Sequence, residues 1–285
     1  MPIRTFGLAG ALVAVLTALV LPAAAAPGDT RAGLRSPAGA VAGEAEPVYF
    51  DGWAFDTCEA PSVAAMDAWR GSRYRAVGVY FGGRARACPY QKNLNRQWVT
   101  SVDRMGWFLL PLYVGSQSPC VEARHKRRYV IGRHPWQQGV AEARDAVRRA
   151  KWHGMIPGST LYLDMESYDL TDKPCAQRTL TFVQAWNREL RRHRYYPGYY
   201  SSASSGVRHM EWARQVGATD LPEVIWFARW RVRPSLYSEP SLHRSAWTPH
   251  RRIHQYAGNV RETHGGHRLV IDRNRVDALV ARTWE

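Results

Sequence analysis

Short apolar segments alternate with helical patterns along most of this chain, and that alternation constrains its fold more than any other feature. Segments rich in aromatic, aliphatic and β-branched residues are typical of strands. Eight of them occur, at residues 53–57, 76–82, 107–114, 160–166, 195–201, 223–230, 253–258 and 267–274. Helical spacing of apolar residues marks helices between strands, at 61–70, 136–154 and 174–193. Strands that alternate with helices favour parallel pairing, and eight strands predict a closed (β/α)8 TIM barrel in the α/β class.

The N-terminal region differs in composition from the rest of the chain. An apolar stretch at Phe6–Leu21 is followed by small residues as far as Ala26. This order predicts a secretory signal peptide over residues 1–26. Residues 27–46 are rich in Ala, Gly and Pro and have no apolar periodicity, which predicts a disordered linker. The remaining residues, 47–285, suit one large domain.

The formal net charge of +15 bears on the partners of the protein. Only four of the 39 basic residues are lysines, and the arginines are scattered, which indicates a compositional bias rather than a phosphate-binding track. We therefore predict no nucleic-acid partner, and an anionic cell-wall polymer is the charged partner that an exported protein would meet. After the signal region, no apolar run approaches the roughly 20 residues of a membrane span. The predicted location is secreted, either extracellular or associated with the cell wall.

Four acidic residues fall at the ends of predicted strands. Asp56 ends the first strand, Asp164 and Glu166 end the fourth, and Asp272 ends the eighth. Because active sites of (β/α)8 barrels lie at the C-terminal ends of the strands, these acids are expected to converge at one mouth.

The fourth strand explains how two acids can lie side by side. Side chains alternate between the two faces of a strand, so Tyr162, Asp164 and Glu166 share one face. The intervening apolar residues Leu161, Leu163 and Met165 are predicted to pack on the opposite face.

Six motifs carry a family resemblance. In chain order they read GWAFDTCEAPS, LYLDMES, GYYSS, VIWFARW, IHQY and VIDRNRVD. Over residues 50–280 the chain resembles the glycoside hydrolase family 25 lysozymes. It resembles still more a related family of secreted glycoside-hydrolase-like barrels of unassigned function.

The resemblance implies roles for the acids and for the residues around them. Glu166 is the implied general acid and Asp164 its partner, with Asp56 and Asp272 as the outer acids of the cluster. The implied sugar-binding residues are Tyr200, Trp226, Gln255 and Tyr256, to which Tyr162 is added because it shares the acid face of its strand.

Cleavage of a glycosidic bond needs a proton for the leaving oxygen and negative charge near the developing cation. Repulsion between two neighbouring carboxylates raises the proton affinity of one of them, and we expect Glu166 to hold the proton while Asp164 stays charged. The predicted function is acid/base hydrolysis of an N-acetylated cell-wall polysaccharide such as peptidoglycan, with no cofactor and no metal.

Three alternatives remain open. A non-catalytic barrel would bind a glycan or the cell wall through the same aromatic residues and cleave nothing. The four acids could also form a calcium or magnesium site, although they lack the compact spacing of an EF-hand loop. In the third alternative the acids only satisfy buried polar groups.

An even number of cysteines in an exported chain favours disulfides. Each of Cys58, Cys88, Cys120 and Cys175 follows one of the first four predicted strands. Neighbouring loops on one rim are close enough to bridge, so the expected pairs are Cys58–Cys88 and Cys120–Cys175.

Overall fold

A computed structural model describes residues 47–284. The predicted signal peptide and linker, residues 1–26 and 27–46, lie outside the described residues. The strands are β1 (Tyr49–Asp56), β2 (Tyr74–Gly82), β3 (Phe108–Tyr113), β4 (Thr160–Asp164), β5 (Tyr196–Ser202), β6 (Val224–Ala228), β7 (Arg251–His264) and β8 (His267–Leu279). The α-helices are α1 (Val63–Ala68), α2 (Arg96–Arg104), α3 (Pro135–Trp152), α4 (Lys173–Arg192) and α5 (Arg208–Gln215).

The eight strands close into one barrel in chain order, which confirms the predicted fold class. Strands β1 to β6 each pair in parallel with the strand that follows them. One helix lies in each connection from β1 as far as β6. Residues 229–250, which connect β6 to β7, form turns and bends instead of a helix.

Strand β8 departs from the predicted all-parallel arrangement. It is antiparallel to both of its neighbours, β7 and β1. The reason is a hairpin whose two turn residues, Gly265 and Gly266, both have positive φ, a turn that joins antiparallel strands. Since β8 runs down from the mouth, Asp272 lies within the strand instead of ending it. It still reaches the mouth because it is in register with Asp56.

Side chains of the barrel divide into two apolar layers. Leu161, Leu163 and Met165 belong to the larger cluster, which also contains buried residues of the surrounding helices. Tyr162 belongs to a smaller cluster of residues that fill the barrel interior. The predicted alternation of faces in β4 is therefore confirmed, and it directs Asp164 toward the interior.

The two long predicted helices are present as α3 and α4. In α4 the apolar residues at helical spacing, Leu180, Val183, Trp186 and Leu190, are all buried. Both expected disulfides are present, Cys58–Cys88 with a Cα–Cα distance of 5.7 Å and Cys120–Cys175 with 6.0 Å. No helix within residues 47–284 is long and apolar enough to cross a membrane.

Gly78 on β2 provides a test of the interior packing. A Cβ atom at this position would lie 2.5 Å from Cβ of Asp56 and 3.0 Å from the indole of Trp226. We expect Gly78→Ala to lower the free energy of unfolding by about 2 kcal/mol, because overpacking forces neighbouring groups apart. Gly71→Ala is the matched control, since a Cβ atom there has no neighbour within 4 Å. Chemical denaturation of both variants checks this, and equal stability would contradict the tight packing.

Candidate active site

The carboxylate of Asp56 is the most strongly hydrogen-bonded group at the mouth. It accepts from the Tyr80 hydroxyl at 2.9 Å, from Nε2 of Gln255 at 3.0 Å and from Nδ2 of Asn274 at 2.8 Å. Burial, assisted by the nearby charge of Asp272, raises the pKa of Asp56 to about 7, although the three hydrogen bonds act in the opposite direction. Asp56 is therefore close to its titration midpoint at neutral pH.

Further hydrogen-bond donors orient the side-chain amides of Asn274 and Gln255. The indole of Trp226 donates to Oδ1 of Asn274 at 2.8 Å. The Tyr200 hydroxyl and the Trp230 indole donate to Oε1 of Gln255 at 3.1 and 2.9 Å. Because each amide oxygen is already occupied, the –NH2 group of each amide points toward the carboxylate on β1.

Asp164 and Glu166 lie at the end of β4, as predicted, but their environments differ. Asp164 is only 5% exposed, and its Oδ1 has no hydrogen-bond partner among the described residues. Burial raises the pKa of Asp164 to about 8, and the negative charge of Glu166 adds to this effect. The side chain of Glu166 is 38% exposed. The expectation that Asp164 would be the charged member was wrong, since burial puts the proton on Asp164 at neutral pH.

A buried lysine accompanies this pair. The Lys126 ammonium lies 3.5 Å from Oε1 of Glu166 and donates to the carbonyl of Ala85 at 2.9 Å. The sequence RHKRR that contains it forms a 3-10 turn in which only the lysine is buried. Its ammonium also opposes the rise in the pKa of Asp164. The cation thus stabilises negative charge on the pair.

Gln117 holds the backbone of the pair in place. Its Oε1 accepts from the Glu166 amide at 2.8 Å, and its Nε2 donates to the Asp164 carbonyl at 2.9 Å. The Gln117 side chain is fully buried and replaces a missing strand partner where β4 ends. The spacing of the two acids therefore depends on a residue in the loop after β3.

Asp272 completes the group of acids at the mouth. It is partly buried, which raises its pKa, and its Oδ1 accepts from the Asn259 amide at 2.6 Å. Among the described residues, three potential metal ligands come within 4.8 Å of one another only at Cys120, Asp172 and Cys175, and both sulfurs there form a disulfide. The four acids are not gathered into a cation cage.

Three of the residues predicted to bind sugar are not available at the mouth. Tyr162 and Trp226 are fully buried in the barrel interior, where the Tyr162 hydroxyl donates to the Leu279 carbonyl at 2.5 Å. Tyr256 follows the inward-facing Gln255 at a bulge in β7 and makes an edge contact with Trp53, which packs with the outer cluster. Tyr200 is half-buried at the mouth, and the buried Gln255 acts through Asp56.

Trp230 is an exposed aromatic residue at the mouth that the sequence analysis did not select. Its side chain is 43% exposed, and its indole ring lies against Gly258 so closely that a Cβ atom there would collide with the ring. It lies four residues beyond Trp226 in the same sequence motif, and the motif alone does not show which of the two tryptophans is exposed. Tyr80 and Asn274 were also missed, although both follow the period-two alternation of their strands. Gln117 and Lys126 lie in an irregular loop that offered no such signal.

The barrel, its mouth of acids and its aromatic rim define a glycoside-hydrolase-like domain. Residues 67–276 match the family model described as Rv2525c-like, glycoside hydrolase-like domain. The chain belongs to this family. No curated protein sequence is significantly similar to it.

Solved structures share the fold at low sequence identity. The Tat-secreted protein Rv2525c of Mycobacterium tuberculosis, crystallised with L-tartrate, is 17% identical with a TM-score of 0.50, over 79% of this chain and 95% of that one. An uncharacterised protein of B. stearothermophilus is 20% identical with a TM-score of 0.50, over 80% and 99%. The spore cortex lytic enzyme SleM of Clostridium perfringens is 12% identical with a TM-score of 0.50, over 79% and 67%. These similarities concern the fold.

The buried Asp164 predicts an unusual dependence of stability on pH. Its pKa rises from 3.8 to about 8 on folding, so the folded protein keeps a proton that the unfolded chain releases. The contribution of Asp164 to the unfolding free energy should therefore fall as pH rises through this interval, by about 1.4 kcal/mol per pH unit at most. Asp164→Asn should flatten this slope and make the protein more stable than wild type at the alkaline end.

Asp67→Asn serves as the matched control, because Asp67 is an exposed aspartate paired with Arg70 at 3.1 Å. Urea denaturation over a pH series measures both variants against wild type. The stability of Asp164→Asn relative to wild type should increase with pH, and a difference that stays constant, as expected for Asp67→Asn, would contradict a buried protonated Asp164.

Proposed function

We propose that this protein is a secreted glycoside hydrolase that cleaves an N-acetylated cell-wall polysaccharide, in the manner of a muramidase. The observation that carries the proposal is the acid pair at the end of β4. A buried carboxyl group, Asp164, holds a proton at neutral pH beside an exposed carboxylate, Glu166. Glycoside hydrolysis requires a proton and a negative charge at one place, and the pair supplies both.

The two acids would act as one proton-carrying unit. Asp164 holds the proton in the free protein, and Glu166 is the member that reaches the open mouth. A glycan that displaces water from Glu166 raises the proton affinity of that carboxylate, so the proton of the coupled pair comes to lie on Glu166 and is delivered to the leaving oxygen. Lys126 then stabilises the carboxylate that Glu166 becomes after it has donated.

The remaining acids suit the other half of the reaction. Asp56 and Asp272 lie in register on neighbouring strands and bring negative charge to the mouth. An oxocarbenium-like sugar is stabilised by such charge. An N-acetylated substrate also brings its own nucleophile, the amide oxygen. The protein then has to supply only the proton and the negative charge that stabilises the developing cation. The rim residue Trp230 offers an apolar face to a sugar ring.

The two disulfides support the proposed location outside the cell. Two disulfides at the mouth suit an oxidising compartment. The proposed substrate, a wall glycan, is supported by membership of a glycoside-hydrolase-like family and by the fold shared with the spore cortex lytic enzyme SleM. The alternative function, a non-catalytic glycan-binding barrel, is favoured by one observation: the Lys126 ammonium lies 3.5 Å from Oε1 of Glu166, so the accessible member of the pair is already engaged in an ion pair.

Turnover by the acid pair can be tested with conservative variants. We expect Glu166→Gln and Asp164→Asn each to reduce release of reducing ends from purified peptidoglycan and chitin-type oligosaccharides by at least roughly a hundredfold, because each interrupts proton delivery. Co-sedimentation with the glycan and the melting temperature should persist in Glu166→Gln. A fully active Glu166→Gln protein would rule out the mechanism, and wild type that pellets without releasing reducing ends would favour the binding module.

Glycan retention by Trp230 has a matched control within the chain. Trp230→Ala should weaken co-sedimentation roughly fivefold, because it removes the exposed ring at the mouth. Trp152 is 75% exposed and ends α3, which leads to the start of β4 at the end of the barrel opposite the mouth, so Trp152→Ala should have no effect. Equal losses in the two variants would show that retention does not involve the mouth.

A further inference from the structure

A second concave surface lies on the same rim as the acid pair. It is a groove of about 550 Å³, lined among others by Leu170, Lys173, Ala176, Arg208, His209 and Trp212. These residues come from the connection between β4 and α4 and from the first turns of α4 and α5. Both connections leave the C-terminal ends of their strands, so the groove flanks the mouth without belonging to it. Leu170 follows Glu166 by only four residues.

The floor of the groove is formed by His209, which hydrogen bonds beneath the groove hold in place. Tyr168 and Ser205 tie the two connections together, since the Ser205 hydroxyl accepts from the Tyr168 amide at 2.8 Å and donates to the Tyr168 carbonyl at 2.6 Å. The Tyr168 hydroxyl is also hydrogen-bonded to Nδ1 of His209 at 2.9 Å. Burial, assisted by the charge of Lys173, lowers the pKa of His209 to about 4, so this floor is uncharged at neutral pH. A rigid floor lowers the entropic penalty of binding.

The walls combine an aromatic surface with positive charge. Trp212 is 54% exposed, although it packs partly on the His209 ring. Lys173 and Arg208 are both exposed. Within the part of the chain that the structure describes, no carboxylate oxygen lies within 4.0 Å of the charged atoms of either residue. The groove thus offers an apolar face and two available cations, a combination that suits a ring bearing an acid group.

We propose that the groove binds an acidic sugar unit, one whose pyranose ring packs on Trp212 while its carboxylate meets Arg208 and Lys173. The choice of a sugar rests on the proposed function, since a glycan held at the mouth passes this rim on its way out. The groove would then be a binding site outside the acid cluster that adds affinity for long, acidic chains. Two exposed cations that form no ion pair within 4.0 Å among residues 47–284 explain why an acidic unit is preferred to a neutral one.

Two monosaccharides separate the contributions of ring and charge. N-acetylmuramic acid carries a carboxylate, and N-acetylglucosamine is its neutral counterpart. In NMR titrations of the mature protein, N-acetylmuramic acid should shift the Trp212 indole N–H signal at concentrations roughly fivefold below those that N-acetylglucosamine requires. The double variant Lys173→Ala, Arg208→Ala should remove that difference, and Trp212→Ala should weaken binding of both sugars, whereas Trp152→Ala should change neither.

Three outcomes would overturn the proposal: no response of the groove to either sugar, equal responses to both, or a preference for the acid that survives the double variant. The test is independent of turnover. Binding at the groove without release of reducing ends from any glycan would contradict the proposed hydrolase activity and support the proposed sugar-binding groove. Release of reducing ends with no response at the groove would reject the groove alone.

Discussion

The site depends on the burial of one carboxylate. Asp56 lies at the end of β1, out of water, and a carboxylate in such a place must be hydrogen-bonded or protonated. Its three donors, Tyr80, Gln255 and Asn274, come from β2, β7 and β8. The barrel must therefore close with β7 and β8 in the correct register before this residue is satisfied. The hydrogen bonds of Asp56 are therefore complete only in the closed barrel.

Burial also decides how much charge the mouth carries. Four acids converge there, yet burial raises the pKa values of Asp56 and Asp164 to about 7 and about 8, so fewer than four charges are present at neutral pH. Lys126 offsets part of the remaining repulsion. An arrangement of this kind is unfavourable for stability at alkaline pH and useful for chemistry, because a proton held near neutrality is one that can be transferred.

The direction of β8 shows how local and global constraints combine. The glycine pair at the hairpin turn imposes an antiparallel return, and the long β7–β8 hairpin carries Gly258, on which Trp230 lies. A parallel eighth strand would have needed another crossover helix. The hairpin instead brings Asp272 down into the mouth beside Asp56 and supplies the surface that supports the exposed aromatic ring.

Patterns of short range were sufficient for much of this structure. The period of two in β4 predicts which face Asp164 occupies, helical spacing predicts the buried face of α4, and the order of strands predicts the closed barrel and both disulfides. These features follow from the geometry of single elements and their order along the chain.

The exposure of a side chain cannot be predicted in this way, because it depends on which distant parts of the chain pack against it. Trp226 and Trp230 share one motif, yet the first is enclosed by the barrel and the second lies on its rim. Lys126 lies in a basic run whose sequence does not distinguish it from its exposed neighbours, and only the tertiary structure buries it beside Glu166. The position of the proton was likewise decided in the tertiary structure, since the proton affinity of a carboxyl group is set by the water it loses and the charges that surround it.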